Sequence, residues 1–151
     1  MQVIVKSFQE LTLQELYEIL RIRTSVFVVE QSCPYQEVDN LDQNSYHVML
    51  VDHDQIAAYC RVIDCHNPFK EVSIGRVLSL ERRKGYATLV VKKGIEVAIQ
   101  QYQANKIIIE AQTYARSLYE KVGFKQTSEP FLEDGIEHIQ MCYICNKDVS
   151  D

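Results

Sequence analysis

A single mixed α/β domain of the α+β kind is the fold class this sequence predicts, and three observations point to it. Runs with the two-residue alternation of strands interleave with runs of helical period along the whole chain. One run, Ile107-Ile108-Ile109, is apolar at successive positions, as in a central strand covered on both faces. The length of 151 residues suits one domain with a real core, and 46% hydrophobic against 25% charged residues argues against disorder. No repeat, low-complexity stretch or linker divides the chain.

Val3 to Phe8 alternates as a first strand. Thr12-Leu13-Gln14-Glu15 is a capping box, with Leu11 and Leu16 placed as a hydrophobic staple, so a helix starts there. Leu16, Ile19, Leu20, Arg23 and Phe27 follow one face of it to about Glu30. Gln31 to Asn44 is a polar, acidic loop holding Pro34. Tyr46 to Val51 and Gln55 to Ile63 read as strands joined by the turn Asp52-His53-Asp54, and Val72 to Leu80 as another, interrupted by Gly75. Gly85 to Tyr102 has a helical face of Leu89, Val90, Ile95, Ala98, Ile99 and Tyr102. Lys106 to Gln112 is the central strand, and Ala115 to Val122 a short helix stopped by Gly123. Phe124 to Glu129 and Ile136 to Cys145 form a closing antiparallel pair.

Composition excludes several functions. A net charge of -5 disfavours a nucleic-acid partner, because neutralising phosphates needs a basic face. No apolar stretch approaches the ~20 residues that span a bilayer, so no membrane role is expected. Val3-Ile4-Val5 lacks the basic flank of a secretory leader, and five cysteines is an odd count. Reduced thiols in the cytoplasm are therefore expected. Cys142-Tyr143-Ile144-Cys145 spells C-x-x-C, but on a strand this odd spacing sends the sulfurs to opposite faces, so buried free cysteines are expected rather than a metal or redox site.

The densest positive charge of this acidic chain, Arg82-Arg83-Lys84-Gly85, lies between a strand and the longest helix. The first N–H groups of a helix have no internal partners, and the helix dipole makes that end positive. Gly85 lets the backbone close on a ligand, and the three cations add full charges. The turn is a candidate anion site; a solvated basic turn is the alternative. A Walker loop and a Rossmann fingerprint are both missing.

Arg82-x-x-Gly85-x-Ala87 after a strand resembles the (Q/R)-x-x-G-x-(G/A) motif of the GNAT superfamily of N-acetyltransferases. The segment from Ala115 to Phe124, with Leu118-Tyr119-Glu120-Lys121 and Gly123-Phe124, resembles a second motif of that superfamily. Arg23 to Gln31, Cys33-Pro34-Tyr35, Asp39, Asp42, Gly75-Arg76-Val77 and Glu133 to His138 are similar to its ElaA-like branch. A looser similarity, through Arg23, Phe27, Asp39, Asp42 and Arg61, runs to acyl-homoserine-lactone synthases.

The resemblance implies a central, mostly antiparallel mixed sheet with two splayed central strands, flanked by helices. It implies acetyl-CoA as co-substrate, bound where Val72 to Leu80 parts from Lys106 to Gln112. Pantetheine would pair with the backbone of Val77, Leu78, Ser79 and Leu80, with an amide near Leu78 as oxyanion donor. The diphosphate would sit on Arg82, Arg83, Lys84, Gly85, Tyr86, Ala87 and Thr88, and Gln112, Ala115 and Leu118 would complete the cofactor contacts. Tyr119 matches the general acid that protonates the departing thiolate, a role suited to a hydroxyl with a reference pKa of ~10; a core tyrosine is the alternative.

An amine acceptor must lose a proton, and Glu30 and His47 are the candidate bases. Glu30 holding its loop, or His47 as a satisfied core histidine, are the competing readings. His138 is a lesser candidate, and His53 and His66 read as loop residues. Glu37, Asp39 and Asp42 in one loop, and Glu129, Glu133, Asp134 and Glu137 in another, fall where the resemblance puts the acceptor mouth. A negative mouth favours a cationic amine of a small molecule or peptide; solvated acidic loops are the alternative. A CoA-binding sensor without turnover and an acyl-homoserine-lactone synthase are the competing functions. The apolar last strand makes a homodimer plausible.

Overall fold

The computed structural model describes residues 1–81 and 84–145. β1 (Gln2–Ser7), β2 (Ser45–Asp52), β3 (Gln55–Ile63) and β4 (Ser73–Ser79) form an antiparallel sheet in that order. The second sheet holds β5 (Lys106–Gln112), β6 (Lys125–Gln126), β7 (Phe131–Glu133) and β8 (Ile136–Ile144), with β8 pairing antiparallel to each of the others. The sheets meet where β4 and β5 lie side by side in parallel. Their contact is the bridge Val72↔Ile107, where the Ile108 N–H donates to the Val72 carbonyl at 3.0 Å. Past this point β4 and β5 belong to different sheets, which is the splay expected from the sequence.

Helices α1 (Leu13–Thr24) and α2 (Tyr86–Tyr102) cover opposite faces of the first sheet, and α3 (Arg116–Lys121) follows β5. Alternation along the strands decides which residues meet which helix. Val48, Leu50, Ala58, Cys60, Val62 and Ile74 pack with Val90, Val91, Ile95 and Ala98 of α2. The intervening Met49, Tyr59 and Leu78 pack with Ile19 and Ile22 of α1. α2 sits close because Gly94 faces the sheet: a Cβ there would lie 3.2 Å from Ile74 Cδ1 and 3.3 Å from Cys60 Sγ. Leu89 and Ile99, expected on the buried face, are each 41% exposed; Val91, Gly94 and Val97 are turned inward instead.

The capping box forms as read. The Glu15 N–H donates to Thr12 Oγ1 at 3.0 Å, and the Thr12 N–H donates to Glu15 Oε1 at 2.9 Å. The helical run to Glu30 also holds, but its end, Ser25–Glu30, is wound as a π-helix. Such widened turns concentrate at functional sites, and this one carries Phe27 into the cleft described below.

The closing pair is shorter than expected. The Thr127 N–H still donates to the Gln140 carbonyl at 2.8 Å, but the Gln140 N–H turns to the side chain Ser128 Oγ at 2.9 Å, and Pro130 has no N–H to give. The sequence reading missed β7, whose pairing is to β8 through the hairpin at Asp134 and Gly135. Gly123 ends α3 at φ +112°, and a Cβ there would lie 2.9 Å from Tyr143 Cε2. Gly123→Ala is expected to cost about 1–3 kcal/mol, read as a fall of roughly 2–10 °C in thermal midpoint. Among the described residues no helix is long and apolar enough to cross a membrane.

Candidate active site

A cleft of about 340 Å³ opens where β4 and β5 part. Ser73 to Val77 form one wall, and Glu110, Ala111 and Gln112 the other. Tyr114, Ala115 and Tyr119 close one side; Phe27, Cys33 and Tyr35 reach in from the π-helical turn and the following loop. The β7–β8 hairpin contributes Glu133 and Asp134. Two contacts tie the loop across the opening: Gln112 Nε2 donates to Gln31 Oε1 at 3.1 Å, and Cys33 Sγ lies 3.6 Å from the Asp134 carbonyl oxygen.

β4 opens the cleft by a bulge. Arg61 pairs with Gly75 and Tyr59 with Leu78, so β4 carries one residue more than β3 between those pairs. Arg76 absorbs the bulge at φ +51°, a conformation costing of order 1–3 kcal/mol for a residue with a Cβ. A closed ring of ion pairs over-determines it. Arg76 bonds Glu37 at 2.6 Å and Asp39 at 3.2 Å, and Asp39 pairs with Arg61. Arg61 bonds Asp42 at 2.9 Å, Asp42 bonds Arg23 at 2.6 Å, and Arg23 returns to Glu37 at 2.7 Å. Three guanidinium groups and three carboxylates cancel in charge, and each carboxylate bridges two arginines. Tyr35 adds its hydroxyl as a donor to Glu37. Burial resists ionisation of Asp39, but the Arg61 hydrogen bond and charge, with the charge of Arg76, outweigh it and hold its carboxyl at about 2.

This ring revises the reading of the acceptor mouth. Glu37, Asp39 and Asp42 do not present free negative charge; they fasten the loop 31–44 onto α1 and the first sheet. Arg23, Asp39, Asp42 and Arg61, the basis of the looser resemblance to acyl-homoserine-lactone synthases, are four of its six members and so have a structural role here.

The candidate bases lie elsewhere. His47 is fully buried, with Nδ1 2.6 Å from the Tyr59 hydroxyl and Nε2 3.0 Å from the Asp42 carbonyl oxygen. Burial holds its pKa below the ordinary value, against a rise favoured by the Asp42 hydrogen bond. It is a satisfied core histidine behind the ring, with no ring nitrogen left to take a substrate proton. Glu30 is exposed at the end of the π-helical turn and does not line the cleft. His138 does line it, stacked on Phe131 and with Nδ1 held 2.7 Å from the Ile136 carbonyl oxygen.

Tyr119 stands in the cleft wall, 9% exposed and edge-on to Phe124 at 5.8 Å. Among the described residues its hydroxyl has no hydrogen-bond partner. Burial, with smaller contributions from Cys60 and Tyr114, raises its pKa above the ordinary phenol value, so it is protonated at neutral pH. Val77, Gln112 and Ala115 line the same cleft; Leu118 instead packs against the core.

The backbone of β4 shows which amides near Leu78 face the gap. Leu80 donates its N–H to the Ala57 carbonyl at 2.8 Å, and Leu78 pairs with Tyr59. By strand alternation the amides of Leu78 and Leu80 therefore face β3. Those of Val77 and Ser79, the amides next to Leu78, face the gap toward β5.

Arg82 and Arg83 lie outside the described residues. Gly85 caps α2 at φ +74° with no side-chain cap, so the first-turn amides of Tyr86, Ala87 and Thr88 have no partner from a capping side chain. A Cβ at Gly85 would meet nothing within 4 Å, and Lys84 is held only loosely, 3.9 Å from Glu81. Because β4 and β5 run parallel, this helix start lies at the same end of the strands as the splay.

The sequence reading missed Glu110, Glu133 as its partner, and Tyr114. Glu110 is exposed on its strand, yet partial desolvation of its carboxyl, then the hydrogen bond and charge of Glu133, push it up to about 7. One signal was available: a lone carboxylate in the apolar strand Ile107 to Ala111. Among the described residues no group of three or more histidine, cysteine or acidic side chains could hold a metal.

The family model described as acetyltransferase (GNAT) domain matches residues 9–145. A UPF0039 protein of Schizosaccharomyces pombe is 39% identical over 93% of this chain and 95% of its own. Protein ElaA of Escherichia coli is 33% identical over 87% of this chain and 89% of its own, and its crystal structure superposes with a TM-score of 0.87 over 94% and 98% of the two chains. The structure of an acyl-CoA N-acyltransferase from Pseudomonas aeruginosa has the same TM-score, 0.87, at 36% identity, covering 95% of this chain and 99% of that one. A CoA-dependent acyl-homoserine-lactone synthase is similar at 14% identity and a TM-score of 0.74, a likeness of fold alone.

Proposed function

The chain belongs to the GNAT acetyltransferase family, and on that premise we propose that it is an acetyl-CoA-dependent N-acetyltransferase acting on a primary amine of a small molecule or peptide by direct transfer in a ternary complex. The observation that carries the reading is one cleft lined by Tyr119 and by β4 and β5 where they part, with the uncapped start of α2 at the same end of the strands.

These residues fit a CoA thioester. The first-turn amides of α2 and the cations before them suit a diphosphate. The Val77 and Ser79 backbone suits an extended chain of amides added like a strand. Tyr119, protonated and with no partner for its hydroxyl among the described residues, supplies the proton that the thiolate needs as it leaves.

Calorimetry with acetyl-CoA, followed by thiol release with added amines, tests this. Binding and amine-dependent release are expected; a chain that binds no acetyl-CoA at saturating concentration overturns the reading, and binding without release favours the sensor. Thr88→Glu is a sharper probe. A glutamate at the third helical position stabilises a helix start, yet it sets a carboxylate on the amides assigned to the diphosphate. Acetyl-CoA binding should weaken at least about tenfold, or about 1.4 kcal/mol, with the thermal midpoint unchanged or raised.

A further inference from the structure

We propose that Glu110 and Glu133 form the subsite for the ammonium end of the acceptor, and that Glu110 takes up the proton this amine must lose before it attacks. The inference rests on the transfer reading of the same cleft and names the charge class of its substrate: a cationic primary amine.

Placement is the first argument. Glu110 lies on β5 on the face opposite the buried Ile107, Ile109 and Ala111, and Glu133 ends β7 where the hairpin turns; both line the cleft. The two carboxyls are within hydrogen-bonding reach of each other. Two carboxylates in contact cannot both ionise cheaply, so the pair holds one proton between them near neutral pH.

Charge is the second. Asp39, the ring carboxylate that lines this cleft, is neutralised by Arg61 and Arg76. Among the described residues neither Glu110 nor Glu133 has an ion-pair partner. Across the strand pair from Glu110 stands the uncharged Gln140, and sharing its side of the cleft are Glu133 and Asp134 of the hairpin, His138 of β8, and Tyr114 and Tyr119 after β5. Across the cleft stand Tyr35, Asp39, Arg61 and Arg76, whose charges close within the ring. The hairpin side of the cleft is thus left negative, and a cation is what it lacks.

Two further observations point to an occupant. Arg61, 2% exposed and lining the far wall, keeps its Nε–H without a hydrogen-bond partner among the described residues. A buried unpaired donor costs roughly 1–3 kcal/mol, which an oxygen of a bound acceptor would recover. Tyr114, 80% exposed at the lip, offers a ring face of the kind that attracts alkylammonium groups.

The protons balance. The ammonium gives one proton to ionised Glu110, which passes it to solvent. The freed amine attacks the thioester carbonyl carbon, the C–N bond forms and the C–S bond breaks. Tyr119 protonates the leaving sulfur, and the second amine proton restores the tyrosine. An amide, CoA thiol and one released proton are the products.

The test measures kcat/KM against pH for acetyl-CoA with phenethylamine, spermidine and an alanine-led tetrapeptide. The wild type should show an ascending limb near pH 7. Glu110→Gln should lower kcat about 10²-fold or more while acetyl-CoA binding stays within twofold. Glu133→Gln should move the limb to lower pH, because removing one negative charge makes ionisation of the other carboxyl easier. An unchanged kcat in Glu110→Gln, or a limb that Glu133→Gln leaves in place, overturns the assignment while the transfer reading stands. A wild type that releases no CoA with any of the three amines overturns both.

Discussion

Arg23→Met is expected to lose about 3–5 kcal/mol of folding stability, the scale for removing one partner of a buried ion pair. Arg23 is fully buried and bridges Glu37 and Asp42 at 2.7 and 2.6 Å, so its loss leaves two desolvated carboxylates each with one remaining arginine. Against a typical total of 5–15 kcal/mol this is a large share. Denaturant midpoints check it. Arg23→Lys should recover little, because one ammonium cannot reproduce the planar fork that spans two carboxylates. Arg21→Ala, which removes an exposed pair with Glu18, should leave the denaturant midpoint almost unchanged. The ring also sets an acid limit. Asp39 is held at about 2, below its unfolded value of ~3.9, so its contribution is present above pH ~4 and is lost as pH falls toward 2. Wild-type stability should fall across that window, and part of the fall should vanish in Asp39→Asn.

Tyr119→Phe should reduce turnover about 10²-fold or more, the usual scale for a positioned acid, with little change in acetyl-CoA binding. Stability separates this from structural damage. The hydroxyl has no protein partner among the described residues, so removing it should change folding stability by less than about 1 kcal/mol, while the ring keeps its contact with Phe124. Single-turnover acetyl transfer beside a thermal melt checks both halves. An unaffected rate would remove Tyr119 from the chemistry and leave it as a core tyrosine. Since burial raises its pKa, no loss of the acid form is expected anywhere below pH 10.

Much of the fold was legible because its signals are local. Thr12 and Glu15 are three residues apart, and their reciprocal hydrogen bonds form wherever that helix starts. Lys106–Gln112 matched its expected bounds because an unbroken isoleucine run suits few other places. β7 was illegible: three residues with no period of their own become a strand only against β8. The acceptor loop was misread for a related reason. Its carboxylates are visible in the sequence, but their partners Arg23, Arg61 and Arg76 sit on a helix and two strands far away along the chain. His47 likewise reads as a candidate base until Tyr59 and the Asp42 carbonyl occupy both its nitrogens.

By itself the sequence determined the order of the helices and of every strand but β7, the family resemblance, the glycine start of α2 and the tyrosine of α3, since each depends on residues within a turn or two of one another. Only the tertiary structure decided which acids are neutralised and which stay free, that Arg76 is bent into a bulge, and that Glu110 meets Glu133. Ion pairing and desolvation depend on distance through space, and folding brings together residues that the chain keeps apart.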